Sequence, residues 1–206
     1  MRRAARTTLA ITVVAAVGLS VWSALADGDT AAGPPSERSV EVGFVRDMAV
    51  HHDQGVAMAE IIHRRSDEDP FAMFANDIAL GQQSQLGRFY GWLEQWDVSP
   101  TGSDPMAWMS HGGGASEGMD GPMQMPGLAS RDQVSDLADL PVEEAETQFL
   151  QLMIAHHRGA VSMAEAVLDM PVRPEVRRIA DAIVSTQLAE IDAMNGMLQA
   201  RGQEPM

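Results

Sequence analysis

The chain contains one helical segment twice, and this repeat restricts its fold more than any other feature. Residues 44–60 read FVRDMAVHHDQGVAMAE and residues 149–165 read FLQLMIAHHRGAVSMAE, with eight identities among 17 positions at an offset of 105. The same offset relates five later pairs, Ala75/Ala180, Ile78/Ile183, Gln82/Gln187, Gly91/Gly196 and Leu93/Leu198. Each copy has room for two helices, so the sequence predicts an all-α fold in which two duplicated α-hairpins form a four-helix bundle.

Start and stop signals give the predicted helix boundaries. A helix from about residue 40 to residue 65 ends at the polar run before Pro70, and Asp69 is expected to cap the second helix. Residues 130–133 form a capping box (S-x-x-Q) for a short helix. The other long helices are predicted at 70–96, at 141–169, opened by Pro141, and at 175–201, so that the bundle spans 40–201 around an irregular linker at 98–127.

The composition of the chain limits the kinds of reactive site, metal site and partner that it can have. The absence of cysteine excludes disulfides, thiolate nucleophiles, iron–sulfur clusters and thiolate zinc sites. A formal net charge of −15 argues against binding to nucleic acid, because an acidic surface repels phosphate backbones. Any soft metal ligand must therefore be methionine, of which the chain has 15.

The N-terminal region has the layout of an export signal. Residues 1–26 combine three arginines, an apolar run from Leu9 to Leu25 and the small-residue site Ala24–Ala26. We expect a cleaved signal peptide and a secreted, periplasmic or extracellular protein. The alternative is an uncleaved N-terminal membrane anchor, for which the apolar run is long enough. Residues 27–39, which contain Gly and Pro, are predicted to be a flexible spacer.

The repeated motif Met-x-x-His-His carries the candidate ligands. On an α-helix, Met48 lies one turn before His51 and His52, on the face between them. Adjacent side chains diverge by about 100°, so one histidine pair cannot surround an ion and a site needs ligands from the second copy. The candidate metal ligands are His51, His52, His156, His157, Met48, Met153, Met58 and Met163. Methionines placed like Met58 and Met163 more often pack in a core than bind a metal.

The types of ligand indicate copper. Imidazole with thioether suits copper, Cu(I) in particular, whereas di-iron sites in helical bundles use several inward-facing carboxylates. Glu60-x-x-His63 matches the pattern of such a site, but its counterpart runs from Glu165 to Leu168 and lacks the histidine. We expect Glu60, Glu165 and His63 at the surface.

Polar residues of the second and fourth long helices are candidates to orient the imidazoles. Gln82 and Gln85 in the first copy correspond to Gln187 and Glu190 in the second. They are expected to face the helices that carry the histidines. There they would hydrogen-bond the imidazoles of a metal site, or form interhelical hydrogen bonds without a metal.

The linker between the hairpins is rich in methionine. Residues 98–127 also contain many Gly, Pro and Ser residues, which predicts a mobile segment outside the bundle. Clustered thioethers that no core needs would suit the capture of Cu(I) or Ag(I); a low-complexity loop or a patch for a partner protein is the alternative. The candidate ligands here are Met106, Met109, His111, Met119, Met123 and Met125.

The two copies of the motif, with QMPGL before the third long helix and Q-x-x-E-I in the fourth, resemble the family called domain of unknown function 305. The resemblance covers about residues 40–200. It implies a ferritin-like four-helix bundle, and some members of that family are exported copper-binding proteins linked to copper tolerance. The ligand roles would carry over to the Met and His candidates of both copies. Gln85 stands opposite Glu190, and Leu152 opposite Asp47, so a role of either acid could persist in one copy only.

We therefore expect an extracytoplasmic copper-binding protein that sequesters or carries copper as Cu(I) or Cu(II), with a copper-handling protein as its partner and no catalytic turnover. No phosphate-binding loop, nucleophile elbow or paired-carboxylate arrangement is readable in the sequence. Two alternatives stay open. One is a di-iron or manganese oxidoreductase on the same bundle, and the other is a helical adaptor whose histidines are structural.

Overall fold

Five α-helices make up most of the part of the chain that the computed structural model describes, residues 33–102, 104–112 and 124–206. They are α1 (Val40–Arg65), α2 (Asp69–Gln95), α3 (Arg131–Asp139), α4 (Val142–Leu168) and α5 (Pro174–Ala200), with a 3₁₀-helix at Ala107–Gly112 between α2 and α3. These residues include no strand. The predicted all-α fold, with four long helices and one short one, is confirmed.

The helix ends follow the predicted signals with two exceptions. Ser39 caps α1 through its side chain, and residues 130–133 form the predicted capping box before α3. The residue that precedes α2 is Glu68 rather than Asp69, and it makes no side-chain capping bond. Pro141 precedes α4 instead of forming its first residue. The fixed φ of proline does not favour continuation of the preceding helix, and its side chain has no acceptor that could cap the next one.

The two hairpins are joined by their first helices. α1 packs against α2, α4 packs against α5, and the hairpins meet where α1 packs on α4, with α3 against both. Two core clusters fill the bundle: Met48 near the start of α1 shares the first with Met163 near the end of α4, while Met58 and Met153 share the second. α1 and α4 are therefore antiparallel, as they would be if a twofold axis perpendicular to both helices related the two copies.

A layer of polar side chains separates the two core clusters. In each long helix, the buried members of one cluster precede the layer and those of the other follow it. We call this the polar layer; its members, none more than 4% exposed, are His51, His52, Gln82, His156, His157 and Gln187. Because buried polar groups are destabilising unless they are hydrogen-bonded or bound to a ligand, this layer is the place to look for function.

The start of the linker belongs to the bundle. Met106 is 1% exposed and Trp108 is 3% exposed, and both are part of the first core cluster. The carboxylate of Asp47 accepts hydrogen bonds from the Met106 backbone (2.7 Å) and the Trp108 indole (2.8 Å), and Trp108 packs edge-on against Phe44. The prediction that the linker lies wholly outside the bundle is therefore wrong here, because Asp47 anchors a segment whose composition alone indicates a free loop.

Each long helix has a buried and an exposed face. Among the described residues, no helix is both long enough and apolar enough to span a membrane. The predicted export signal, residues 1–26, and the spacer as far as residue 32 lie outside the described residues, so both stay predictions.

Candidate metal centre

The four histidines of the repeated motif lie in the middle of the core. All four are 0% exposed. The rings of His51 and His156 are in contact, with 3.9 Å between their centroids and an angle of 36° between their planes. The sequence places His51 and His52 on the two margins of the apolar face of α1, but α1 is covered from two sides, by α2 and α4. Both rings are therefore fully enclosed.

Two of the imidazoles are held by side chains at equivalent positions of the repeat. Nε2 of His52 lies 2.5 Å from Oε1 of Gln85, and Nε2 of His157 lies 2.7 Å from Oε2 of Glu190. The predicted orienting contacts are thus present for Gln85 and Glu190. The amide and the carboxylate hold their imidazoles in the same way, although only one of them carries a charge.

The other two imidazoles are held by backbone carbonyls. Nε2 of His156 lies 2.8 Å from the carbonyl oxygen of His51, and Nε2 of His51 lies 3.0 Å from the carbonyl oxygen of Pro126. Carbonyl and carboxylate oxygens only accept hydrogen bonds, so in all four rings Nε2 carries the proton and donates it. Nδ1 of each ring is then the nitrogen with the free lone pair.

The four Nδ1 atoms are buried and have no hydrogen-bond partner. In the same layer, the side-chain oxygen and nitrogen of Gln82 and the side-chain oxygen of Gln187 have none either. An unpaired buried polar group typically costs about 1–3 kcal/mol, so seven of them in one layer would be expensive for a purely structural core. An imidazole whose one nitrogen donates to an oxygen while the other offers a lone pair is arranged as metal-binding histidines are.

Burial keeps three of these imidazoles, those of His51, His52 and His156, neutral. Removal from water lowers the pKa of His51 to about 4 and the pKa of His52 to about 3. It also lowers the pKa of His156 well below the usual value of 6.5, and the neighbouring imidazoles lower it further. Because metal ions bind the neutral form, at pH 7 these three rings need lose no proton before they bind one.

The thioether candidates lie next to the polar layer, in both clusters. Met48 and Met163 are in the first core cluster, Met58 and Met153 are in the second, and all four are fully buried. In α1 and in α4, one methionine precedes the histidine pair by one helical turn. The structure therefore buries all eight predicted ligands of the bundle, the histidines in the polar layer and the methionines in the two core clusters beside it.

Apart from Glu190, which holds His157, carboxylates play little part in this layer. Among the described residues, no three His, Asp or Glu side chains are placed to hold a metal ion by themselves. The buried Asp47 binds the linker, and the buried Glu146 binds Arg201 at 2.9 Å. Residues of the Glu-x-x-His pattern are at least partly exposed, as predicted: Glu60, Glu165 and His63. A metal ion in the layer would thus need thioether sulfur beside imidazole nitrogen, and a di-iron site would lack its carboxylates.

A segment whose position the sequence did not predict closes the layer on one side. Residues 124–129, which we call the strap, cross α1 and α4. The side chain of Gln54 makes two hydrogen bonds with the backbone of Ala129, at 2.7 and 2.9 Å. Gly159 leaves room for the strap, since a methyl group there would overlap the carbonyl oxygen of Pro126. Gln54 and Gly159 occupy equivalent positions, and this mismatch within a matching repeat is the sequence signal that could have located the contact.

Packing accounts for several of the linker methionines. Met106 is buried, and Met109 and Met125 are half-buried against the first core cluster. The expectation that no core needs these three residues is therefore wrong. Of the other candidates, Met119 and Met123 lie outside the described residues, and only the backbone of His111 is described.

Known proteins share this architecture. Solved structures of a DUF305 protein from Streptomyces coelicolor (TM-score 0.74, 34% identity, 83% of this chain and 98% of that chain) and of a DUF305 fragment from Deinococcus radiodurans (TM-score 0.66, 38%, 82% and 99%) are similar to it. CopM in the Cu(I)-bound form is similar at 24% identity, with a TM-score of 0.59 over 78% of this chain and 96% of that chain, which shows the fold alone. No curated protein matches the chain in sequence. The model of the family described as Domain of unknown function (DUF305) matches residues 41–198, and the chain belongs to that family.

Proposed function

We propose that this protein binds copper outside the cytoplasm and sequesters or carries it, without catalytic turnover. Copper is the cargo, as Cu(I) or Cu(II), and it would pass to or from a copper-handling partner protein. The proposed site is the polar layer with its flanking thioethers. Its ligands would come from His51, His52, His156, His157, Met48, Met153, Met58 and Met163.

The observation that carries the proposal is the set of four buried Nδ1 lone pairs without a partner. Folding takes these atoms out of water and gives them nothing in exchange, so a bound cation would recover a cost of roughly 1–3 kcal/mol for each one it contacts. Copper has the highest affinity of the first-row divalent ions for nitrogen ligands, and thioethers add affinity for Cu(I). The donors therefore fit copper better than iron, manganese or zinc.

Two further observations support this choice. CopM, which has the same fold, has been solved in Cu(I)-bound, Cu(II)-bound and Ag-bound forms. These are the ions that mixed imidazole and thioether sites favour. The arginines and apolar run of residues 1–26 support export, as a secretory signal has that layout.

Copper binding should depend on the stacked histidine pair. We expect protein isolated from its native compartment to contain copper. In anaerobic competition titrations, His51→Gln/His156→Gln should lower Cu(I) affinity by at least about tenfold, since even losing a residue that orients a ligand costs that much. His63→Gln, which changes an exposed histidine of α1, is the matched control and should leave the affinity unchanged. Circular dichroism checks that both variants are folded.

The metal found in the native protein also separates the other candidate functions. Iron or manganese in place of copper would favour the oxidoreductase. The absence of any metal, together with wild-type affinity no tighter than that of a free peptide containing Met and His, would favour the adaptor.

We further propose that the linker methionines form a second, softer site for Cu(I). Met106 is left in place because it is buried. Replacing Met109, Met119, Met123 and Met125 by Leu keeps their volume and removes their sulfur, so it should lower the number of Cu(I) ions bound while the helical circular dichroism stays the same. Met73→Leu, at a methionine 64% exposed on α2, is the control. An unchanged stoichiometry would leave these residues with packing and loop roles only.

A further inference from the structure

We infer that the two halves of the polar layer prefer different oxidation states of copper, and that Glu190 makes the half around His157 favour Cu(II). The inference rests on the proposed function. Glu190 sets the preference for one oxidation state of copper, and it does so without having to contact the metal itself. The half around His52, which has Gln85 in the equivalent place, would favour Cu(I).

The surroundings of His52 and His157 match in the contacts that matter here. His52 and His157 are both 0% exposed, and their Nε2 atoms lie 2.5 and 2.7 Å from the oxygens of Gln85 and Glu190. Both Nδ1 atoms are buried and unpaired. The amide of Gln85 and the carboxylate of Glu190 therefore orient their imidazoles in the same way and differ in charge, so the two positions can be compared within one protein.

That charge acts on a bound ion in two ways. A carboxylate that accepts the Nε2 proton increases the basicity of the imidazole, which strengthens its bond to a metal. Its negative charge also attracts the ion in proportion to the charge of the ion, so Cu(II) gains about twice as much as Cu(I). The side chain of Glu190 is only 23% exposed and His157 is fully buried, so water screens this attraction incompletely. Gln85 provides neither effect.

The test exchanges the two residues in the full-length, metal-free protein. Affinities for Cu(II) and for Cu(I) are measured separately by competition with chelators, the latter without oxygen. We expect Glu190→Gln to weaken Cu(II) binding about 10- to 100-fold and Cu(I) binding by a smaller factor. The ratio of the two affinities sets the reduction potential, which would rise by about 59 mV for each tenfold change in that ratio. Gln85→Glu should shift the ratio and the potential in the opposite direction.

The control is Asp192→Asn, which removes one negative charge from the exposed side of the same helix and should not change the ratio. Because Gln already holds an imidazole at position 85, Glu190→Gln is expected to fold. Equal weakening of Cu(I) and Cu(II) would overturn the inference, since it would mean that Glu190 only orients His157. If Glu190→Gln bound both ions with the wild-type affinities, the inference would also be overturned, but the proposed function would not be affected. A wild-type protein that binds neither ion would end the proposed function itself, and this inference with it.

Discussion

The metal-free protein should lose most of its stability between pH 6.5 and pH 4. In the unfolded chain a histidine titrates near pH 6.5, whereas the folded protein holds His51 at a pKa of about 4, His52 at about 3 and His156 well below 6.5, in each case mainly through burial. Below pH 6.5 the unfolded state therefore binds protons that the folded state does not, and stability falls with pH. At pH 4.5 His51 and His52 each contribute a loss of about 3 kcal/mol. His156 changes stability in the same direction, so the sum is comparable to the whole stability of a domain.

Urea denaturation in the presence of a chelator, at steps from pH 7.5 to pH 4.5, measures this loss. The free energy of unfolding should be nearly constant above pH 6.5 and then fall with a slope of at least about two protons, from His51 and His52. Asp47 acts in the opposite direction, because burial raises its pKa, but one carboxyl group cannot offset three imidazoles. His63→Gln should keep the wild-type slope. A midpoint in urea that is the same at pH 7 and pH 5 would contradict burial of neutral imidazoles.

Gly159→Ala should destabilise the protein by about 2–4 kcal/mol. The added methyl group would overlap the carbonyl oxygen of Pro126, and a backbone atom cannot rotate out of the way as a side chain can. The strap must move, which combines the cost of overpacking with a buried His51 Nε2–H left without its acceptor. His51 donates a hydrogen bond to the carbonyl of Pro126, and the carbonyl of His51 accepts one from His156. Movement of the strap should therefore also disturb the contact between the rings of His51 and His156.

Gly87→Ala is the matched control for this substitution. Gly87 also lies inside a long helix, but a methyl group there would meet nothing within 4 Å. Alanine should then stabilise the protein by about 0.5–1 kcal/mol, because it favours the helix and contacts nothing. In thermal and urea unfolding, the stability of Gly159→Ala should thus be lower than that of the wild type and the stability of Gly87→Ala should be higher. Equal small effects would show that the strap is not held against α4 as described.

The fold was predictable because its signals are local and were present twice. Helical periodicity, the capping box and the ungapped repeat predicted four long helices and placed His51 and His156 at equivalent points of a bundle. The contact between their rings was not predictable, since it depends on how two hairpins cross. Neither were the hydrogen bonds of His51 and His156, because their partners are backbone carbonyls. The partner of His51 is Pro126, 75 residues away in an irregular segment.

The linker shows the same limit more clearly. Its Gly, Pro and Met content indicated a free segment, and nothing periodic in it indicated otherwise. The buried Asp47 holds the Met106 backbone across 59 residues of chain, and Trp108 fills the space beside it. A single buried acceptor and one aromatic ring are sufficient to dock such a segment, yet neither changes the local pattern of the sequence. Long-range anchoring of this kind is visible only in three dimensions.

The polar layer also bears on how such a chain could evolve. Each hairpin supplies half of the layer, so a hairpin on its own would expose its histidines and glutamine on an apolar face and would need a second copy. In an ancestral dimer of identical hairpins every substitution would occur in both halves at once. Fusion of two genes removes that restriction. The copies could then diverge, with Gln54 bonding the strap where Gly159 makes room for it, and with a charge at Glu190 that Gln85 lacks.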